Sequence, residues 1–177
     1  MSAPSAKLLV SVEEKERCAF VKITGRANFA SSVDFKKLVA ELLAKGYGRF
    51  VIDLTDCVLM DSTFLGVLAG SGLKVNAPQA NGSQRFIELF NPNARVKDLL
   101  ENLGVLDLFR VAQGDTATPD GAQSREMSPS DASRAEITRT CLEAHQLLMN
   151  INPANVARFK DVAQFLAEDL KKLEAGS

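Results

Sequence analysis

The sequence predicts an α/β protein, with a mixed β-sheet of about five strands, helices packed on it, and a C-terminal helical hairpin. Three observations carry this expectation. Short apolar runs alternate with amphipathic helical stretches between residues 8 and 112, which implies crossovers that lay helices on a sheet. No helix separates the first two runs, so they form a hairpin and the sheet is mixed. Beyond residue 131, two apolar stripes recur at helical spacing on either side of Asn152-Pro153.

Cys18 to Ile23 reads as a strand ended by Thr24-Gly25, with Leu8 to Val12 as its hairpin partner. From Ser32, the positions Phe35, Leu38, Val39, Leu42 and Leu43 fall on one helical face, with Lys36, Lys37 and Glu41 between them and Gly46 and Gly48 after them. Phe50-Val51-Ile52-Asp53-Leu54 has the compact apolar form of a central strand covered on both faces. A short connection leads to Asp61-Ser62-Thr63 and a helix from Phe64 to about Val75. Gly66, Gly70 and Gly72 lower its helix propensity by about 1 kcal/mol each relative to alanine, which suggests close packing against another element. Helix-to-sheet packing is the reading taken for them.

Arg85 to Phe90 is a further strand, and Asn91-Pro92 opens a helix through about Asn102, with Val96, Leu99, Leu100 and Leu103 on one face. Phe109 to Ala112 is a last short strand, giving the order β-β-α-β-α-β-α-β. Residues 113–131 contain Gly114, Pro119, Gly121 and Pro129 with no apolar period, the composition of a mobile linker. Ile137, Cys141, Ala144, Leu148 and Ile151 form one helical stripe; Val156, Phe159, Ala163, Leu166, Leu170 and Leu173 form the next. Isolated helices of this length are marginal in water, so the pair must dock on something. The expected organisation is a domain over 1–112, a linker over 113–131 and a helical hairpin over 132–177.

The chain has 177 residues, 46% of them hydrophobic and 24% charged, an average composition that folds without staples. Its 21 basic and 22 acidic residues leave no cationic footprint for nucleic acid. Three widely spaced cysteines, at positions 18, 57 and 141, suit neither a metal clip nor a complete disulfide set and point to a reducing cytoplasm. No run is long enough for a membrane span, and Met1 to Lys7 lacks the features of a secretion signal. With one histidine, a Ser-His-Asp triad depends on His145 alone. It lies beside the apolar stripe with Glu143 and Gln146 nearby, where no nucleophile or second metal ligand is spaced to use it. No metal site and no cofactor are expected.

The most informative stretch is Val51 to Gly66. A serine or aspartate before an apolar helix is a good N-cap, but three polar residues in succession exceed what a cap needs. Gly66-Val67-Leu68-Ala69-Gly70-Ser71-Gly72-Leu73-Lys74 is not a phosphate loop, because it lacks the adjacent Gly-Lys-Ser/Thr. Arg26, Asn28, Ser31 and Ser32 precede the first helix, with Ser31 or Ser32 read as its cap.

Residues 8–112 resemble the anti-sigma factor antagonist family, the soluble branch of the STAS domains found also in sulphate transporters. The resemblance rests on the element order, on the Ile23-Thr24-Gly25-Arg26 turn, and on Val51-Ile52-Asp53-Leu54 leading to Met60-Asp61-Ser62-Thr63-Phe64-Leu65-Gly66. The family pattern Asp-Ser-Ser/Thr-Gly-Leu-Gly is met except at Phe64, where the family has glycine. The ring is either an obstacle to a docking kinase or a buried first-turn anchor.

The resemblance implies a STAS-like fold and no enzyme activity. It implies that Ser62 is phosphorylated by a partner serine kinase that doubles as the anti-sigma factor, ATP belonging to that partner. Asp61, Thr63, Phe64, Asn28 and Phe29 become candidate partner-binding residues. A phosphate adds about −1.5 to −2 charges, which a helix N-terminus tolerates but a desolvated interface does not. Two alternatives remain: a scaffold without phosphorylation, whose C-terminal helices hold a homodimer or complex together, and a module binding a small ligand or lipid at the helix N-terminus. Ser128-Pro129 is a weaker candidate phosphosite within the linker.

Overall fold

β1 (Lys7–Glu13) and β2 (Cys18–Ala27) form the antiparallel hairpin that their alternation requires, with Leu8 opposite Ile23 and Val10 opposite Val21. The structure, a computed structural model, describes residues 6–115, 117–119 and 122–176. Met1 to Ser5, part of the segment searched for a signal, and Gly121 of the linker lie outside the described residues. Along β2, Ala19, Val21 and Ile23 are fully buried while Phe20 and Lys22 are half-buried, the period of two of a strand with one covered face.

β3 (Arg49–Asp53) pairs parallel with β2 on one side and with β5 (Phe86–Phe90) on the other, and β5 continues to β6 (Arg110–Ala112). Phe50 and Ile52 are wholly buried. Val51 is only half-buried and shares an outward row with Phe20 and Glu88, its partners in register. The central strand is therefore covered fully on one face only. That departs from the expectation of two covered faces, because the helices gather on the Phe50–Ile52 side.

β2 runs four residues beyond the predicted stop. Gly25 takes a left-handed φ of +91°, and the register shifts between Gly25 and Arg26. This bulge turns the end of β2 away from β3 and onto β4 (Cys57–Met60), a strand where the sequence predicts only a connection. The pairing brings Ala27 beside Met60, and the Asp61 N–H donates to the Ala27 carbonyl at 2.9 Å. Two helices consequently start side by side, α1 (Phe29–Ala44) after Asn28 and α2 (Ser62–Asn76) after Asp61.

α1 buries Phe35, Leu38, Val39 and Leu42 as the spacing predicted. Its cap is Asn28, whose side chain accepts from the Ala30 and Ser31 N–H groups, while the Ser31 hydroxyl accepts in return from the Asn28 N–H. This reciprocal box places the helix start three residues earlier than predicted and makes Ser31 the box partner rather than the cap. α3 (Ala94–Asn102) is capped by Asn93 and leads through a single 3-10 turn to β6.

α4 (Arg134–Ile151) and α5 (Ala154–Ala175) form the C-terminal hairpin. The Asn155 amide at their turn is fully buried and donates to the carbonyls of Leu148 and Leu103, tying the turn to the end of α3. α4 lies against α1 and α2, with Ala144 and Leu148 joining the main core. The predicted linker is pinned in part: β7 (Arg125–Glu126) adds to the edge of β1, and the Ser130 N–H donates to Asp34. The strand order is β6-β5-β3-β2-β1-β7 with β4 on the far end of β2.

Candidate functional site

Parallel pairing of β2 with β4 sets the site, because it ends both strands at one level and feeds each into a helix. Asp61 bridges the two starts. One carboxylate oxygen accepts the Phe29 N–H and the other the Phe64 N–H, each at 2.8 Å. Burial raises the Asp61 pKa above the ordinary aspartate value, against the downward pull of the Phe64 and Phe29 amides. Asp61 is thus the α2 cap as well as a clasp on α1, which leaves the next hydroxyl free of capping duty.

That hydroxyl belongs to Ser62, the first residue of α2, and it is half-buried. It meets His145 of α4, 83 positions along the chain, with Oγ and Nε2 2.8 Å apart. The other ring nitrogen, Nδ1, lies 2.6 Å from the Cys141 carbonyl. A carbonyl only accepts, so Nδ1 carries a proton, and in the neutral ring Nε2 then presents its lone pair to the Ser62 hydroxyl, which donates to it. His145 is 5% exposed, its ring edge set on Phe159 of α5 with centroids 5.1 Å apart. One turn before it, the Cys141 thiol faces the Thr63 hydroxyl, which draws the thiol pKa down against the burial that raises it.

Below the site the helices touch without intervening side chains. A Cβ on Gly66 would stand 2.6 Å from the Ala144 carbonyl oxygen and 2.7 Å from the Ala144 Cβ. Gly70 faces Leu147 in the same seam. These two glycines receive α4, not the sheet as predicted, and Gly72 packs on Phe109. Lys36–Glu143 and Lys37–Glu136 ion pairs bridge α1 to α4 at the rim, each exposed and worth at most about 1 kcal/mol.

Five residues were named beside Ser62. Asp61 and Asn28 are half-buried, each engaged in a helix cap. Phe29 is 49% exposed and lies on the open side of the Asp61 clasp. Thr63 is buried under α4, and Phe64 is wholly buried against Phe35 with ring centroids 5.2 Å apart. The Phe64 ring is therefore the buried anchor of the two readings left open by the sequence. His145 and Cys141 were missed as site residues, and His145 does have a nucleophile in reach. Their spacing of four on α4 was the available sign, but no local pattern joins that helix to position 62.

Ser62 and His145 have the separation of a nucleophile and its base. The Phe64 N–H that an oxyanion would need is bonded to the Asp61 carboxylate instead. The same carboxylate makes the α2 N-terminus a poor pocket for a free anion. A groove of about 160 Å³ between α1, α2 and α4, lined among others by Lys36, Gly70, Lys74 and Leu147, does not include Ser62. Among the described residues no group of three histidine, cysteine or acidic side chains is placed to hold a metal ion, and no helix is long and apolar enough to cross a membrane.

All three thiols are held up by burial, those of Cys18 and Cys57 to about 11 and that of Cys141 in the same direction. A thiol of pKa about 11 is only about 0.1% thiolate at pH 8, so both should alkylate some two orders of magnitude more slowly than free cysteine. Mass-resolved iodoacetamide labelling of native against unfolded protein checks this.

The STAS domain model matches residues 10–115, which leaves α4 and α5 outside the match. Among solved structures, an anti-sigma factor antagonist from Mycobacterium paratuberculosis is 18% identical, covering 63% of this chain and 90% of its own at a TM-score of 0.52. A putative anti-sigma factor antagonist from Thermotoga maritima is 23% identical, covering 60% of this chain and 85% of its own at a TM-score of 0.50. No curated protein matches the chain. With residues 10–115, more than half its length, matched by the STAS domain model, the chain belongs to the STAS domain family.

Proposed function

We propose that the chain is a protein-interaction switch of the anti-sigma factor antagonist type. In its unmodified form it binds an anti-sigma factor that is also a serine kinase, and phosphorylation of Ser62 ends that binding. The observation that carries the reading is the division of labour at the α2 start, where Asp61 caps the helix and leaves the half-buried Ser62 hydroxyl out of the cap, bonded to the His145 ring. A phosphate placed there would not remove a cap, so the domain would keep its fold. Beside Asp61 it would add charge to charge, and a docked partner would have to desolvate both. Asn28 and Phe29 extend the contact surface on the α1 side. Thr63 and Phe64 support it from beneath. ATP and the catalytic groups belong to the partner, and the expected compartment is the cytoplasm.

Two experiments test this. Incubation with a candidate kinase and ATP should place phosphate on Ser62, mapped by mass spectrometry, and wild-type protein should recover partners that Ser62→Asp does not. Modification confined to other residues, Ser128 included, or equal recovery by both proteins would end the proposal.

Exposed Val156, Val162 and Phe165 on α5, the last 65% exposed, favour a second reading in which the hairpin holds a homodimer or signalling scaffold together. Light scattering that finds a monomer at working concentration removes it.

A further inference from the structure

Ser62 is not open to a partner in this structure, because α4 of the same chain is already seated on it. His145 covers the hydroxyl, Cys141 covers Thr63, and Ala144 fills the bare backbone at Gly66. We propose that the α4–α5 hairpin is an intramolecular occupant of the Ser62 face and that its docking and a charged group on Ser62 exclude each other.

The geometry supplies the exclusion. An Oγ–Nε2 separation of 2.8 Å leaves no room for a phosphoryl group between the two side chains. In the neutral ring the nitrogen facing Ser62 offers a lone pair, its opposite number donating to the Cys141 carbonyl. A phosphate would meet this lone pair on one side and the Asp61 carboxylate on the other. Among the described residues, the groups in hydrogen-bond or ring contact with His145 carry no cation: on α4 the neighbour is a carbonyl, on α2 a hydroxyl, and on α5 the Phe159 ring, while the charge that faces it from the α2 start is the Asp61 carboxylate.

The core below is closely packed, with Phe64 wholly buried against Phe35. α4 is held to it by the burial of Ala144 and Leu148 and by the Asn155 amide at the hairpin turn. Its rim contacts with α1 are exposed ion pairs, and the described part of the connection is held by a two-residue strand, the Met127–Leu8 backbone bond and the Ser130–Asp34 bond. Docking is therefore the contact that charge at Ser62 can set against the core. By linkage, whatever lifts α4 exposes Ser62, and whatever charges Ser62 lifts α4. The hairpin then competes with an external partner for the same face. That competition rests on the reading of Ser62 as a partner-facing switch residue; the coupling between Ser62 and α4 does not.

Hydrogen exchange on the full chain tests the coupling without any kinase or partner. Phosphoserine incorporated at position 62 during translation, and Ser62→Glu, should each raise exchange across residues 138–148 by about tenfold or more while β2, β3 and β5 keep their protection. Ser62→Ala, which loses one hydrogen bond and gains no charge, should leave α4 close to wild type. Ala144→Arg, which lifts α4 by bulk at Gly66 and leaves Ser62 untouched, supplies the reference pattern for an undocked hairpin on a folded domain. Unchanged or slower exchange in α4 with charge at position 62, as a phosphoserine clamped by a doubly protonated His145 would give, overturns the proposal. So does loss of protection throughout β2 and β3, which would place the conflict in the core rather than in the seam. A kinase that ignores Ser62 would end the functional reading and leave this result standing.

Discussion

Replacing Phe64 by glycine, the residue the family pattern carries there, is expected to remove about 4–6 kcal/mol of stability: about 3–5 for deleting a buried phenyl ring, and about 1 more for glycine in a helix. The ring is wholly buried and tilted against Phe35 of α1, so its loss opens a cavity between the two helices whose starts Asp61 clasps. Domains have about 5–15 kcal/mol to lose, and the variant should be at the edge of folding at 25 °C. Phe64→Leu keeps most of the apolar volume and should cost about 1–2 kcal/mol, within the usual range for a shape change in a core. Urea denaturation followed by far-UV circular dichroism separates the two. Equal midpoints for wild type and Phe64→Gly would mean that the ring does not hold α1 to α2.

This expectation shows what a departure from a family pattern means here. At the second residue after the serine, where the family pattern has glycine, this chain carries a side chain directed inward against Phe35. The Asp61-Ser62 face, on which α4 sits, is unaffected by that filling. A substitution that looks like an obstacle in a linear motif is, in three dimensions, on the other side of the helix from the hydroxyl.

Local signals led to the parts of the site that are local. Asp61-Ser62-Thr63 between an apolar run and an apolar helix marked the helix start, and the bare glycines of α2 announced a close neighbour. Signals that need a partner strand were misread. Cys57–Met60 is four residues long and looks like a connection, and it is a strand only because the Gly25 bulge swings β2 onto it. Asn28 was passed over as a cap in favour of two serines because all three residue types cap well, and the choice between them is made by where β2 ends. The Ser62–His145 bond was beyond reach. It depends on which face of α4 turns inward and how far along α2 it sits, and neither an amphipathic stripe nor a count of residues specifies a rotation and a translation of one helix on another.

The translation is set at Gly66, and the largest effect on the hairpin is expected there. Gly66→Val should undock α4 and α5 while the sheet and α1 stay folded. Its first added carbon would fall 2.6 Å from the Ala144 carbonyl oxygen, a backbone atom in mid-helix that has no rotamer through which to yield. Overpacking of this kind costs about 1–3 kcal/mol when the surroundings can shift. Here the shift available is the lifting of α4. What opposes it is burial of Ala144 and Leu148 with partial burial of Leu147, Ile151 and Phe159, together about 4–8 kcal/mol at about 1.5–3 for each fully buried large side chain. That sum is set against the ordering of two helices and their connection, which leaves a net docking energy small enough for one misplaced methyl group to decide. The Ser62 hydroxyl would lose His145 at the same moment. Nuclear magnetic resonance should then show displaced signals for 134–175 and native ones for β2, β3 and β5, and faster modification of Ser62 if the proposed switch is correct. Native signals throughout would show that α2 and α4 can separate locally and that the bare glycine is a convenience of packing. Collapse of the whole spectrum would show instead that the hairpin is part of the core on which the STAS domain of this chain depends.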